Sequence, residues 1–208
     1  RALVQCTALG FPGRSVAFSA SGTHLAVGGK SGRLRVMSAP TLQPLANFRD
    51  VQSAIDVLRY SPDNRMLAAG SHDLRVDIYD TGFRGPGAVS TCWAKAKGGR
   101  EAYAHLATCV GHAATIRNCD FSMPLSSPPE LYGRTIIQTN CNGREVLYWD
   151  PRSGRQLQLD ARDARWATWT CTLGFPVMGI WPDGSSPLDL NGCCRTAAGG
   201  PEAAGSEG

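Results

Sequence analysis

"VAFSASGTHLAVGGKSGRLRVMS", from Val16 to Ser38, and "LRYSPDNRMLAAGSHDLRVDIYD", from Leu58 to Asp80, align without a gap at an offset of 42 residues. Phe18 matches Tyr60, Ser19 matches Ser61, "LAVG" at Leu25 matches "LAAG" at Leu67, and Arg33-Leu34 match Arg75-Val76. An offset of this size is a repeat period, and a repeat constrains a fold more tightly than any single element does. A third copy opens with "GHAATIRNCDFS" at Gly111 and closes with "TIIQTNCNGREVLYWD", Thr135 to Asp150. Its Phe121-Ser122 answers Phe18-Ser19, and its Trp149-Asp150 answers Tyr79-Asp80.

Each copy reads as strand, turn, strand, turn, strand. In "RLRVM" apolar residues alternate with Arg at a period of two, which puts one face on a core and the other in water. Glycine-containing turns between such short runs make the sheet antiparallel. A period near 42, Gly111-His112 at the start of a copy and Trp149-Asp150 near its end mark WD-repeat blades. The expected fold is therefore all-β: about three propeller blades plus extra strands, an incomplete ring. The blades are expected near 12–50, 51–110 and 111–160, with the start of a further blade at 161–196. The small and polar residues of 197–208 cannot bury apolar area, so a disordered tail is expected there.

The structural positions of such a blade are Asp73, His112, Trp149 and Asp150. An Asp in the last tight turn ordinarily joins the Gly-His histidine, a Ser or Thr and the Trp in one hydrogen-bonded network. Here the network reads as incomplete in every copy. Val51 stands where the second copy's histidine would fall, Gly143 where the third copy's Asp would fall, and Ser31 at the first copy's turn. Blades of this kind should depend more on packing than on polar networks, leaving His112 to find a different partner.

The composition excludes several function classes. With 208 residues and 42% hydrophobic content the chain can bury a substantial core. The net charge of +4 comes from 21 basic residues of which only Lys30, Lys95 and Lys97 are lysines; the arginines are scattered, so no nucleic-acid patch is read. No run of 18 apolar residues exists, so no membrane span is read, and the opening Arg1 reads as a cut edge. The eight cysteines include no C-x-x-C pair, and reduced thiols packed as small core residues are expected, with neither metal nor cofactor. "GSHD" at Gly70 to Asp73 is no hydrolytic triad, because adjacent strand side chains point to opposite faces. His24 and His105 are expected to stand alone at turn or edge positions.

Two stretches depart from the period as expected surface loops: residues 81–102, where Trp93 with Lys95 and Lys97 could serve a partner, and "MPLSSPPELYGR" at Met123 to Arg134. A third is "WATWTCTLGFPVMGIWPDGSS", Trp166 to Ser186. Its beginning alternates well enough to supply strands with Trp166 and Cys171 in the core, and Trp181 precedes a Pro-Asp-Gly turn.

"YSPDNRMLAAGSHD", "EVLYWD" and above all "WATWTCTLGFPVMGIWPDGSSPLDLN" resemble the echinoderm microtubule-associated protein-like family, over roughly Val16 to Arg195. The family-specific segment carries Trp166, Trp169, Trp181, Asp183 and Gly184. What the resemblance implies is a fragment of the second of two joined propellers, in a non-catalytic cytoplasmic scaffold that binds tubulin or microtubules. Neither a coiled coil nor a basic N-terminal region is present to carry over attachment to the microtubule lattice. A general WD-repeat adaptor in a signalling or ciliary complex is the alternative.

Overall fold

A computed structural model describes residues 6–83, 103–180 and 193–194. The Trp93 insertion beyond residue 83, the tail expected at 197–208, and Trp181, Asp183 and Gly184 lie outside the described residues.

The short alternating runs form three four-stranded antiparallel sheets, each in chain order. The first holds β1 (Gly13–Phe18), β2 (His24–Gly29), β3 (Leu34–Ser38) and β4 (Pro44–Phe48). The second holds β5 (Ile55–Tyr60), β6 (Met66–Ser71), β7 (Arg75–Asp80) and β8 (Ala104–Val110). The third holds β9 (Ile116–Phe121), β10 (Ile137–Cys141), β11 (Val146–Asp150) and β12 (Arg155–Leu157). These are propeller blades. No described helix is long and apolar enough to cross a membrane.

The repeated residues have repeated duties. Ser19, Ser61 and Ser122 each accept, at the side-chain oxygen, the backbone N–H that opens the following strand, from His24, Met66 and Ile136 at 2.9–3.0 Å. Such a hydroxyl satisfies a donor that the turn leaves without a strand partner. Asp80 and Asp150 close each third strand by accepting the N–H of Gly82 and of Arg152. The turn after each second strand needs one left-handed residue, supplied by Gly32 (φ 75°), Leu74 (φ 62°) and Arg144 (φ 59°). Only the first uses the residue that adopts this conformation without a Cβ clash.

The cores lie between blades. Leu34, Val36, Ile55, Leu58, Leu67 and Tyr79 fill the seam of the first and second blades. Val76, Ile78, Ile116, Phe121, Ile137 and Trp149 fill the next. Inner strands must approach closely for this: a Cβ on Gly28 would lie 2.7 Å from Ile55 Cγ2, and one on Gly70 would lie 2.8 Å from Ile116 Cγ2. Polar pins cross the first seam as well. Arg14 meets the Asp56 carboxylate at 2.5 Å, whose other oxygen is held within the second blade by His72, and the Ser15 hydroxyl donates to the Ile55 carbonyl at 2.7 Å. On β1, Ala17 faces this core while Val16 and Phe18, 59% and 63% exposed, form an apolar strip on the opposite face.

Candidate functional site

The third blade carries the row of polar side chains expected of a WD blade, and it is more complete than the sequence suggested. Trp149 Nε1–H donates to Thr139 Oγ1 at 2.7 Å, and His112 Nε2 lies 2.6 Å from the same oxygen. Trp149 and Thr139 are almost wholly buried and His112 nearly so, which makes each of these bonds strong and each loss costly. With Gly143 in place of the turn Asp, His112 has a different carboxylate beside it. Glu145, two residues past Gly143, brings Oε2 to 3.4 Å from His112 Nδ1 and accepts the Ala113 N–H at 3.0 Å. Burial pushes the His112 pKa down while Glu145 pulls partly against it. A longer acid placed at the strand start thus reaches where a shorter acid in the turn would sit.

The second blade solves the same corner differently. Asp73 has no histidine; Val51, at the expected histidine position, is buried. Its carboxylate accepts the backbone N–H groups of Gln52 and Ser53 at 3.0 and 3.3 Å. Burial would raise the Asp73 pKa, and the Ser53 hydroxyl foremost, then these backbone N–H groups and Arg75, hold it below the ordinary carboxylate value. Ser71, His72 and Asp73 each serve separate partners: Ser71 donates to the Arg75 carbonyl, His72 meets Asp56, and Asp73 holds the incoming loop.

Two lone histidines are corrected. His24 is buried on β2, where Nδ1 lies 3.0 Å from the Tyr103 hydroxyl, itself 2.9 Å from the Tyr60 hydroxyl. This chain of rings ties the first blade to the second. His105 is on the edge strand β8, as an edge position requires, but it meets the buried Asp77 carboxylate at 3.0 Å, which also accepts from Thr108 and Arg75. Sequence reading missed Asp77 because its place in an apolar strand alternates inward, where a carboxylate is expected only with partners from two strands.

The tryptophan-rich segment departs most from expectation. No strand forms in described residues 161–180; a single bridge joins Trp166 to Ser122, and a 3-10 turn covers Phe175–Ile180. The physical reason is Asp120. This fully buried carboxylate on β9 accepts the backbone N–H of Thr170 and Cys171 at 2.8–2.9 Å, both Thr168 and Thr170 hydroxyls, and Gln138 Nε2. The amides that would pair with a neighbouring strand go to one carboxylate instead. Around it, Trp166 packs with Leu125, Ile136 and Ala161 and stacks on Tyr148 at 6.1 Å between ring centres. Trp166 and Cys171 are 2% and 1% exposed, so both are core residues, and Trp169 borders the same cluster.

Three of the buried sulfurs, Cys109, Cys119 and Cys171, are held as thiols by their surroundings. Burial pushes the Cys109 and Cys119 thiols up to about 12 and Cys171 well above its ordinary value. The arrangement fastens strands and seams, and its loops and rims are the surface left for a partner.

Comparison with known proteins bears on the whole chain. The family model described as "Echinoderm microtubule-associated protein second beta-propeller" matches residues 1–207. The chain is 35% identical over 182 residues to echinoderm microtubule-associated protein-like 3 of Mus musculus, covering 86% of this chain and 18% of that protein. It is 34% identical over 186 residues to echinoderm microtubule-associated protein-like 1 of Homo sapiens, covering 88% and 20%. It therefore spans about a fifth of the length of the curated relatives it matches. Among solved structures, Chaetomium thermophilum Sqt1 bound to the N-terminus of the ribosomal protein L10 superposes with a TM-score of 0.53 at 25% identity, over 70% of this chain and 33% of Sqt1. The β-propeller domain of Myceliophteria thermophila Cps50 (Swd1) superposes at 0.52 and 16% identity, over 70% of this chain and 40% of that one, a likeness of fold alone.

Proposed function

The chain belongs to the echinoderm microtubule-associated protein family, and from that premise we propose that it is a non-catalytic scaffold segment that binds tubulin or microtubules at the cytoplasmic cytoskeleton. The observation that carries the reading is the match of the family's second propeller along almost the entire chain. Buried thiols with raised pKa and carboxylates committed to backbone donors agree with a scaffold.

In this reading residues 12–50, 51–110 and 111–160 are three blades and 161–196 leads into a further one. Asp73, His112, Trp149 and Asp150 hold the blades in shape, and Trp166 and Trp169 seat the lead-in segment. Thr172 supports that division: it meets Asn140 at 3.4 Å, at the strand position where Gly28 meets Ile55 and Gly70 meets Ile116 in the earlier seams.

Co-sedimentation of the complete gene product with microtubules, together with pull-down of soluble tubulin, tests the proposal. Enrichment in either is the expected result. Enrichment in neither overturns it and favours an adaptor without direct tubulin contact.

A further inference from the structure

His112 Nδ1, Cys141 Sγ and Glu145 Oε2 converge at one end of the third blade, all within 4.8 Å of one another. We propose that these three side chains form a binding site for a zinc-class divalent cation, with a fourth coordination position open to solvent beside Glu145.

Two of the three separations match the ion, and the third, between His112 and Cys141, is within 4.8 Å. Cys141 Sγ and His112 Nδ1 each lie 3.4 Å from Glu145 Oε2. Tetrahedral zinc with ordinary bond lengths to S, N and O would separate its ligand atoms by about 3.4–3.6 Å. The three ligands also fit by charge: one thiolate and one carboxylate neutralise a dication, so no net charge is left half-buried.

Proton accounting around His112 supplies an independent reason. Trp149 Nε1 can only donate, and it donates to Thr139 Oγ1. The Thr139 hydroxyl has the Leu147 carbonyl as its own acceptor at 3.4 Å. Thr139 Oγ1 can then accept from His112 Nε2–H as well, and every proton in the row has a partner. That tautomer leaves a lone pair on Nδ1. The Nδ1 atom is buried and makes no hydrogen bond of good geometry, although Glu145 is near, and the His112 side chain is 0% exposed. In that tautomer a buried imidazole lone pair faces a thiol and a carboxylate, the donor set that a zinc-class cation takes. Thr139 on the other ring nitrogen fixes the ring as metal-bound histidines require. Binding deprotonates Cys141 and releases that proton to water.

Cobalt(II) is the probe. The purified chain should take up one equivalent with tetrahedral d–d bands and a thiolate-to-cobalt charge-transfer band, and zinc should displace it. A chain with Cys6, Cys92, Cys193 and Cys194 changed to serine should keep the spectrum, whereas Cys141→Ser should lose the charge-transfer band. Exposed Glu145→Gln should weaken binding roughly 10- to 100-fold with unchanged circular dichroism, which decides the matter if Cys141→Ser fails to fold. Absence of the charge-transfer band from the parent chain, its survival in Cys141→Ser, its loss in the four-serine chain, or unchanged affinity in Glu145→Gln would each overturn the site.

Discussion

The two seams between blades and the seam between the third blade and the tryptophan-rich segment hold by different means. Between blades, glycine on one strand admits isoleucine from the next, and aliphatic side chains fill the rest. At the third seam the described residues of the segment form no strand, and a buried carboxylate gathers backbone and hydroxyl donors next to an aromatic cluster. The apolar seams tolerate small changes in volume and lose stability by degrees. The polar seam is closer to all or nothing, because one substitution orphans several buried and half-buried donors at once.

The largest expected effect breaks the polar seam. Asp120→Ala leaves the buried Cys171 amide and the half-buried Thr170 amide without an acceptor, each worth about 1–3 kcal/mol. The expected loss is therefore about 3 kcal/mol or more, read by denaturant unfolding, together with a red shift of tryptophan emission as Trp166 and Trp169 meet water. Unchanged emission with a small loss of stability would show that the aromatic packing alone holds the segment.

The next effect sharpens the apolar side. Gly70→Ala places a Cβ 2.8 Å from Ile116 Cγ2 and 3.3 Å from Val57 Cβ, both on buried strands. Ile116 must shift or the strands must part, so a loss of about 1–3 kcal/mol is expected. Gly70→Ala with Ile116→Ala should cost less than the sum of the two single changes, since the second change removes Cγ2, the atom that meets the new Cβ. A double variant whose loss equals that sum would locate the strain in the backbone instead.

The contrast also explains what was legible in the sequence. The blade seams repeat at 42 residues, so Phe18, Tyr60, Phe121 and the serines after them exposed both the strands and their spacing. Trp149 and His112 were readable as a pair because their motif spans one blade. Glu145 was not, because it serves the histidine from two residues past the position where a turn acid is sought. Asp120 was less readable still: its partners are about 50 residues downstream, and an acidic residue beside Cys119 and Phe121 carries no local mark of the segment it will hold. Alternation in "WATWTCT" pointed to strands because periodicity cannot register an acceptor that comes from another blade.

A smaller effect lies in the turn that leads out of the second blade's inner strands. Leu74 holds φ at 62° where the first blade has Gly32, and it is 37% exposed, so little packing is lost on removing its side chain. Left-handed backbone costs a non-glycine residue roughly 1–2 kcal/mol, while glycine gives back part of this through the greater entropy of its unfolded chain. Leu74→Gly should raise stability by about 0.5–1 kcal/mol, measured as a higher unfolding midpoint at unchanged denaturant slope. A lower midpoint would mean that Leu74 contributes packing worth more than its strain.

The smallest expected effect is with pH, and it separates the seams by chemistry. His24 pins the first seam through Tyr103, and His112 sits in the third blade's row beside Glu145 and Cys141. Burial lowers both pKa values below the ordinary 6.5. In the unfolded chain both histidines titrate near that ordinary value, so as pH falls through it the unfolded state takes up protons that the folded state refuses. Stability should therefore be fullest above about pH 7 and decline toward pH 5, before the carboxylates held low, Asp56 and Asp73 among them, begin to protonate. The decline belongs to the histidines if it flattens in His24→Gln and in His112→Gln, each compared with its own value at pH 8. The described part of the third seam holds no histidine, so Asp120→Ala should keep the slope of the parent chain even as it loses stability at every pH. A slope that vanished with Asp120 instead would place the protonation at the carboxylate and erase the distinction between the seams.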